Sequence, residues 1–175
     1  MAGGHTTETP SSMTYASVVS RDSVRLAFMI AALNGIDILS CDLENAYLNA
    51  DCWERIWFEE GIECGKGKGK VLIVVKALYG LKSVGASWRA ALAKVLDSLG
   101  YISTKADTNG WIWPAKKDNR DEYYEMLFVY VDDILSLSHK TAECIKEVTK
   151  VHSVKKYKFR YFEYATSTLR SRYCY

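Results

Sequence analysis

Met126-Leu-Phe-Val-Tyr-Val-Asp-Asp-Ile-Leu-Ser-Leu137 is the stretch whose reading decides the fold. An apolar, β-branched and aromatic run breaks at two acids and resumes at once, which predicts a strand, a tight acidic turn and a second strand. Asp132 and Asp133 then share a hairpin tip, where like charges raise one another's pKa unless a cation or a hydrogen-bond donor compensates. Upstream, Ile36-Asp-Ile-Leu-Ser-Cys41 predicts another short strand, ended by Asp42, the candidate third member of a carboxylate cluster.

Outward from these strands the chain reads as one α+β domain. Residues 1–13 are small, polar and aperiodic, predicting a frayed arm. A helix is predicted over Asp22 to Leu33, capped by Ser20 or Ser23 and stopped at Asn34-Gly35. Its apolar residues run almost all the way round, which predicts burial on more than one side. Glu44 to Ala50 reads as a turn or short helix, Arg55 to Phe58 as a strand, Val71 to Val75 as a buried strand and Tyr79-Gly80 as a break. Gly65-Lys-Gly-Lys-Gly-Lys70 lacks the Ser or Thr of a phosphate-binding loop and reads as a solvated hairpin loop. Trp88, Leu92, Val95, Leu96 and Leu99 form one stripe of a helix over Ala86 to Leu99, a core face. Trp111 to Trp113 and Glu122 to Val131 flank the charged turn Lys116 to Asp121, a hairpin signal. Thr141 to Lys150 reads as a further helix, after which periodicity fades. Strands cluster while helices come separately, so the class is α+β: an antiparallel sheet with helices packed on one face.

Composition narrows the function classes. A chain of 175 residues, 49% hydrophobic and 13% aromatic, can bury a sizeable core. Residues 1–139 carry 14 Lys/Arg against 18 Asp/Glu, net −4, and residues 140–175 carry 9 against 3, net +6: an acidic body with a basic tail. Cys41, Cys52, Cys64, Cys144 and Cys174 are odd in number and irregular in spacing, which favours reduced thiols over disulfides or zinc. With no signal peptide and no apolar run of about 18 residues, the expectation is a soluble, intracellular protein, cytoplasmic or nuclear, without a membrane partner.

Two or three carboxylates at strand ends suit magnesium, which prefers oxygen ligands, and two such ions can support an in-line phosphoryl displacement. Taken alone, an Asp-Asp pair after a strand is more often an ordinary turn. Three segments together change that reading. Tyr130-Val-Asp-Asp133, Asp42-Leu-Glu-Asn-Ala-Tyr-Leu-Asn49 and Ala77-Leu-Tyr-Gly-Leu-Lys-Ser-Val-Gly-Ala-Ser-Trp88 resemble, in order and spacing, the reverse transcriptases of copia-type long-terminal-repeat retrotransposons. The resemblance spans roughly Tyr15 to His139.

This resemblance implies a partial polymerase palm over residues 14–140, following the arm at 1–13 and preceding a divergent basic tail at 141–175. It implies that Asp42, Asp132 and Asp133 are the catalytic, metal-binding carboxylates for two Mg2+ ions, with Mn2+ as the alternative ion. Tyr47 matches the aromatic residue beneath the incoming sugar that excludes a 2′-hydroxyl, against the plainer reading of a core tyrosine. Tyr79, Gly80 and Lys82 match the second palm motif and its nucleotide contact, although Gly80 could equally end a strand and Lys82 be solvated. Trp88 is assigned to packing. The implied partners are an RNA or DNA template-primer and deoxynucleoside triphosphates. The oligomeric state is open.

Segments matching the fingers, the primer grip and the thumb are not found, so the expectation is a fragment, weak or inactive alone. In residues 151–175 Lys and Arg alternate with Tyr and Phe, as a nucleic-acid groove would require. The aperiodic pattern favours unselected sequence. The alternatives to the polymerase are a non-catalytic nucleic-acid-binding remnant and another two-metal phosphoryl-transfer enzyme.

Overall fold

The computed structural model describes residues 14–61 and 69–150 and the backbone of Val154–Lys158. The expected arm at 1–13 and most of the basic tail lie outside the described residues, as do Cys64 and Cys174. The chain divides into two compact units, Met1–Ala16 with Asn45–Leu92, and Ser17–Glu44 with Ala93–Tyr175.

The second unit is built on a six-stranded antiparallel sheet in the order β4-β5-β6-β7-β1-β8. Its strands are β1 (Asp37–Leu43), β4 (Ile102–Ser103), β5 (Gly110–Lys116), β6 (Glu122–Tyr130), β7 (Asp133–Ser138) and β8 (Val154–Lys158). Short loops join β5 to β6 and β6 to β7, so neighbours in sequence pair as hairpins, and β1 inserts beside β7 from far upstream. Asp42 lies inside β1 as its penultimate residue, one step beyond the expected strand.

Helix α1 (Arg21–Asn34) begins at Ser20, whose side chain accepts the Ser23 N–H at 3.1 Å, and ends at Gly35 with φ +60. Its buried residues are Val24, Ala27 and Ala31. Ala27 and Ala31 pack with Ile36, Ile38 and Leu137, and Phe28, Met126, Phe128 and Leu135 adjoin that cluster. The expected burial on more than one side does not hold: Leu26, Met29 and Leu33 are 52, 54 and 77% exposed. The small alanines let the helix approach the sheet closely, leaving the larger apolar residues outside.

Helix α3 (Thr141–Thr149) packs on β1 and β7, and its Cys144 donates to Glu125 Oε2 at 3.1 Å. Glu125 alternates with Met126, so α1 and α3 lie on opposite faces and the helices are shared between both faces of the sheet. Both faces carry apolar side chains, Leu135 and Leu137 on one and the fully buried Ile134 and Leu127 on the other, so both need a cover. The α+β class stands. β8, in a stretch whose periodicity had faded, pairs antiparallel with β1 at Ser40↔Lys158, Cys41↔Tyr157 and Asp42↔Lys156. Cross-strand pairing, which leaves no local mark, forms this strand.

In the first unit β2 (Trp57–Glu59) pairs with β3 (Val71–Ile73), and the Glu60 N–H reaches the Lys70 carbonyl at 2.9 Å to close the hairpin. Residues 62–68, most of the expected basic loop, lie outside the described residues. The expected burial of β3 fails, because Val71 and Ile73 are 58 and 72% exposed. A short apolar run does not by itself distinguish a core strand from a surface hairpin.

Helix α2 (Val84–Ser98) buries Val84, Ala86, Trp88, Leu92 and Leu96, as its stripe predicts. At its entry the buried Glu54 accepts both the N–H and the hydroxyl of Ser83 at 2.7 Å. Glu54→Ala leaves two buried donors unsatisfied and is expected to lower stability by about 1–3 kcal/mol, read as a fall in the urea midpoint. An unchanged midpoint would show that water replaces the carboxylate without loss. Among the described residues no helix is long and apolar enough to cross a membrane.

Candidate active site

The site begins with the two-residue turn between β6 and β7. Tyr130 and Asp133 are the last register pair, so Val131 and Asp132 form the turn itself. Val131 has φ +55. Tight hairpins demand a positive φ at this position to match strand twist, yet a β-branched residue is poorly suited to it. Such strain costs on the order of 1–3 kcal/mol and persists where the surrounding structure over-determines it. Here the determinants are the ladder from Met126↔Leu137 to Tyr130↔Asp133 and a 2.8 Å bond from the Leu43 N–H to the Asp132 carbonyl. Val131→Asn, whose side chain tolerates positive φ, is expected to raise stability by about 1 kcal/mol. A lowered denaturation midpoint would refute the strain.

The same bond ties the turn to β1, where Asp42 lies directly opposite Asp133. Side chains of opposed residues project to the same face with Cβ atoms about 4.5–5.5 Å apart, and like charges so placed destabilise a sheet. All three acids are half-buried. Cys41, next to Asp42 in β1 and turned to the opposite face of the sheet, senses the charges of both Asp133 and Asp42. Its thiol is pushed up to about 12, first by burial and then by the negative charges of Asp133 and Asp42. Cys41 is therefore a protonated core thiol and no nucleophile.

The backbone thus brings Asp42 and Asp133 face to face and Asp132 alongside. Among the described residues, however, no three His, Cys, Asp or Glu side chains are gathered so as to hold a metal ion. Mutual repulsion favours carboxylate rotamers that point apart, and a cation reverses that preference. The residue types and the register fit a hard divalent cation that takes oxygen ligands.

Tyr47, Tyr79, Gly80 and Lys82 belong to the first unit. Tyr47 sits in a 3₁₀ turn (Ala46–Asn49), and its ring meets that of Tyr79 at 4.5 Å between centroids, tilted by 51°. Gly80 has φ +103, which glycine adopts at no steric cost. Lys82 is half-buried.

Asp107 escaped notice in the sequence, although Asp107-Thr-Asn-Gly110 carries the residues of an Asx turn. Burial alone would raise its pKa, but hydrogen bonds from the Ser20 N–H, the Ser23 hydroxyl and the Asn109 N–H outweigh burial and lower it. A carboxylate with a lowered native pKa stabilises fully above the ordinary value of 3.8, and that stabilisation is lost as pH falls through the lowered one. In acid the unfolding midpoint of the wild type is expected to fall more steeply than that of Asp107→Asn. Parallel pH profiles would contradict the assignment.

The model of the family described as reverse transcriptase (RNA-dependent DNA polymerase) matches residues 5–170. The chain belongs to the copia-type reverse transcriptases. The family match extends beyond the Tyr15 to His139 span of the motifs and takes in β8. The domain is similar to the retrovirus-related Pol polyprotein from transposon TNT 1-94 of Nicotiana tabacum, 29% identical over 123 residues, covering 69% of this chain and 9% of that protein. It is also similar to the Pol polyproteins from transposons RE1 and RE2 of Arabidopsis thaliana, each 25% identical, covering 77 and 73% of this chain and 9% of each polyprotein. This reverse transcriptase domain thus spans about a tenth of the length of these relatives, and no solved structure matches it.

Proposed function

We propose that this domain is palm sequence of a retrotransposon RNA-directed DNA polymerase, acting on a template-primer and deoxynucleoside triphosphates inside the cell. The observation that carries the reading is the direct opposition of Asp42 and Asp133, with Asp132 tied to the end of β1 through Leu43. In the reaction a primer 3′-oxygen bonds to the α-phosphorus of the nucleotide, the bond to pyrophosphate breaks, and the 3′-hydroxyl proton passes to solvent. Two Mg2+ ions, held by Asp42, Asp132 and Asp133, would neutralise developing charge at the phosphate, and Mn2+ suits the same ligands. Tyr47 packs against the sugar and excludes a 2′-hydroxyl, while Tyr79, Gly80 and Lys82 receive the nucleotide, glycine allowing close backbone approach. Positioning and charge neutralisation suffice, so no covalent intermediate is required.

Alone, the domain is weakly active or inactive. The basic balance of residues 140–175, 9 Lys/Arg against 3 Asp/Glu, favours a second reading, a non-catalytic nucleic-acid-binding remnant. Primer extension on primed RNA with Mg2+, comparing the wild type with Asp132→Asn, separates the two. Extension that vanishes in the variant supports the polymerase. Equal extension from both proteins refutes this site, and salt-sensitive binding without any extension establishes the remnant.

A further inference from the structure

Beyond Gly110↔Phe128, strand β5 no longer pairs with β6, although β6 continues toward the carboxylate hairpin. Val129, two residues before the turn, would there present a bare N–H and C=O at the sheet edge. Both are taken. Its N–H donates to the Asn109 carbonyl at 3.0 Å, and its C=O accepts the Val19 N–H at 3.1 Å. Asn109 is buried, and its side-chain amide donates to Ser17 Oγ at 2.9 Å. A strap of chain, residues 17–20, therefore replaces β5 along the last stretch of β6.

The strap is held at its far end by one side chain. Asp107 Oδ2 accepts the Ser20 N–H at 2.8 Å and the Ser23 hydroxyl at 2.7 Å, while Oδ1 accepts the Asn109 N–H at 3.0 Å. Thr104 fixes the turn beneath, donating from Oγ1 to the Asp107 carbonyl at 2.7 Å and accepting the Asp107 N–H at 3.3 Å. Every group facing the carboxylate is a donor, so only a side chain with acceptors at both oxygens serves. An amide of the same shape would turn a donor against the Ser20 or the Asn109 N–H.

We infer that Asp107 is a positioning residue for the carboxylate hairpin: by clamping the 17–20 strap and Asn109 to the C=O and the N–H of Val129, it sets the level at which Asp132 and Asp133 are presented. The inference rests on the polymerase reading for its functional meaning, and on the hydrogen-bond ladder for its physical content. Asp107 touches no reacting atom. Its influence runs through Val129, along β6, to the turn and the Leu43–Asp132 bond.

The test measures amide hydrogen exchange in Asp107→Asn beside rates of primer extension with Mg2+. Val19, Val129 and Leu43 are expected to exchange about tenfold faster or more, the loss of roughly one charge-assisted hydrogen bond, while the core amides of Leu127 and Ile145 keep their protection. The catalytic rate is expected to fall with the KM for the nucleotide unchanged, as misplacement of reacting groups dictates. Ser23→Ala, which removes one of the three donors, moves the same amides less far in the same direction, and carries the test if Asp107→Asn does not fold. Acceleration spread evenly over all core amides, or an unmoved Leu43, overturns the inference and leaves Asp107 a general stabiliser. A wild type inactive in extension refutes the polymerase reading, and the exchange pattern still decides whether Asp107 sets the hairpin.

Discussion

Asp133→Asn is expected to abolish nucleotide incorporation and, at the same time, to make the protein more stable. Asparagine keeps the shape of the side chain and removes its charge. Losing one anionic ligand of a two-ion site removes several kcal/mol of transition-state stabilisation, about a thousandfold in rate or more. In the substrate-free protein the same change relieves the repulsion between directly opposed Asp42 and Asp133, a gain of roughly 0.2–1 kcal/mol. Single-nucleotide extension and urea denaturation measured on one preparation give both signs. Asp42→Asn should behave alike, since it is the other half of the pair. A variant that loses activity and stability together would mean that Asp133 supports the fold and that the catalytic assignment has no basis in the opposed charges.

Leu137→Ala carries the largest expected loss of stability. Leu137 is fully buried in β7, within the cluster formed by Ala27, Ala31, Ile36 and Ile38, and it pairs with Ile38 on one side and Met126 on the other. Truncation there forfeits both transfer energy and packing, about 2–5 kcal/mol. Against the roughly 5–15 kcal/mol that holds most domains together, this is a large fraction. Leu33→Ala serves as the contrast. Leu33 is 77% exposed on α1, and its removal is expected to change stability by about 0.5 kcal/mol or less. Equal losses in the two variants would mean that α1 buries the opposite face in solution.

These two leucines mark what amphipathic pattern can and cannot tell. The stripe of α2 was legible because its apolar residues follow one helical face, and Trp88, Leu92 and Leu96 are buried accordingly. In α1 apolar residues surround the axis, so periodicity offers no orientation. The face that packs is the one with alanines, since small side chains permit close approach. β3 illustrates the same ambiguity for strands: three apolar residues in a row are compatible with a core strand, yet Val71 and Ile73 are exposed. β8 has no apolar alternation of its own, and only the free edge of β1 calls it into the sheet.

For the site, the β6–β7 hairpin was written locally, as an apolar run interrupted by two acids. Asp42 was a candidate partner because it ends a predicted strand, and motif resemblance strengthened that choice across the roughly ninety residues that separate it from the turn. Asp107 went unread because its three donors come from the start of α1 and from its own turn, a convergence that spacing does not reveal.

Taken by itself, the sequence determined the local geometry, a strand-turn-strand with two adjacent carboxylates, and membership in a family of polymerases. Tertiary structure alone decided that Asp42 faces Asp133, because a slip of one residue between β1 and β7 would turn every side chain of one strand to the opposite face. That register is held by apolar sets on both sides of the sheet, Ile38 and Leu137 under α1, Cys41 and Ile134 on the other face. Burial of residues distant along the chain, and no signal within either strand, sets the two charges in opposition.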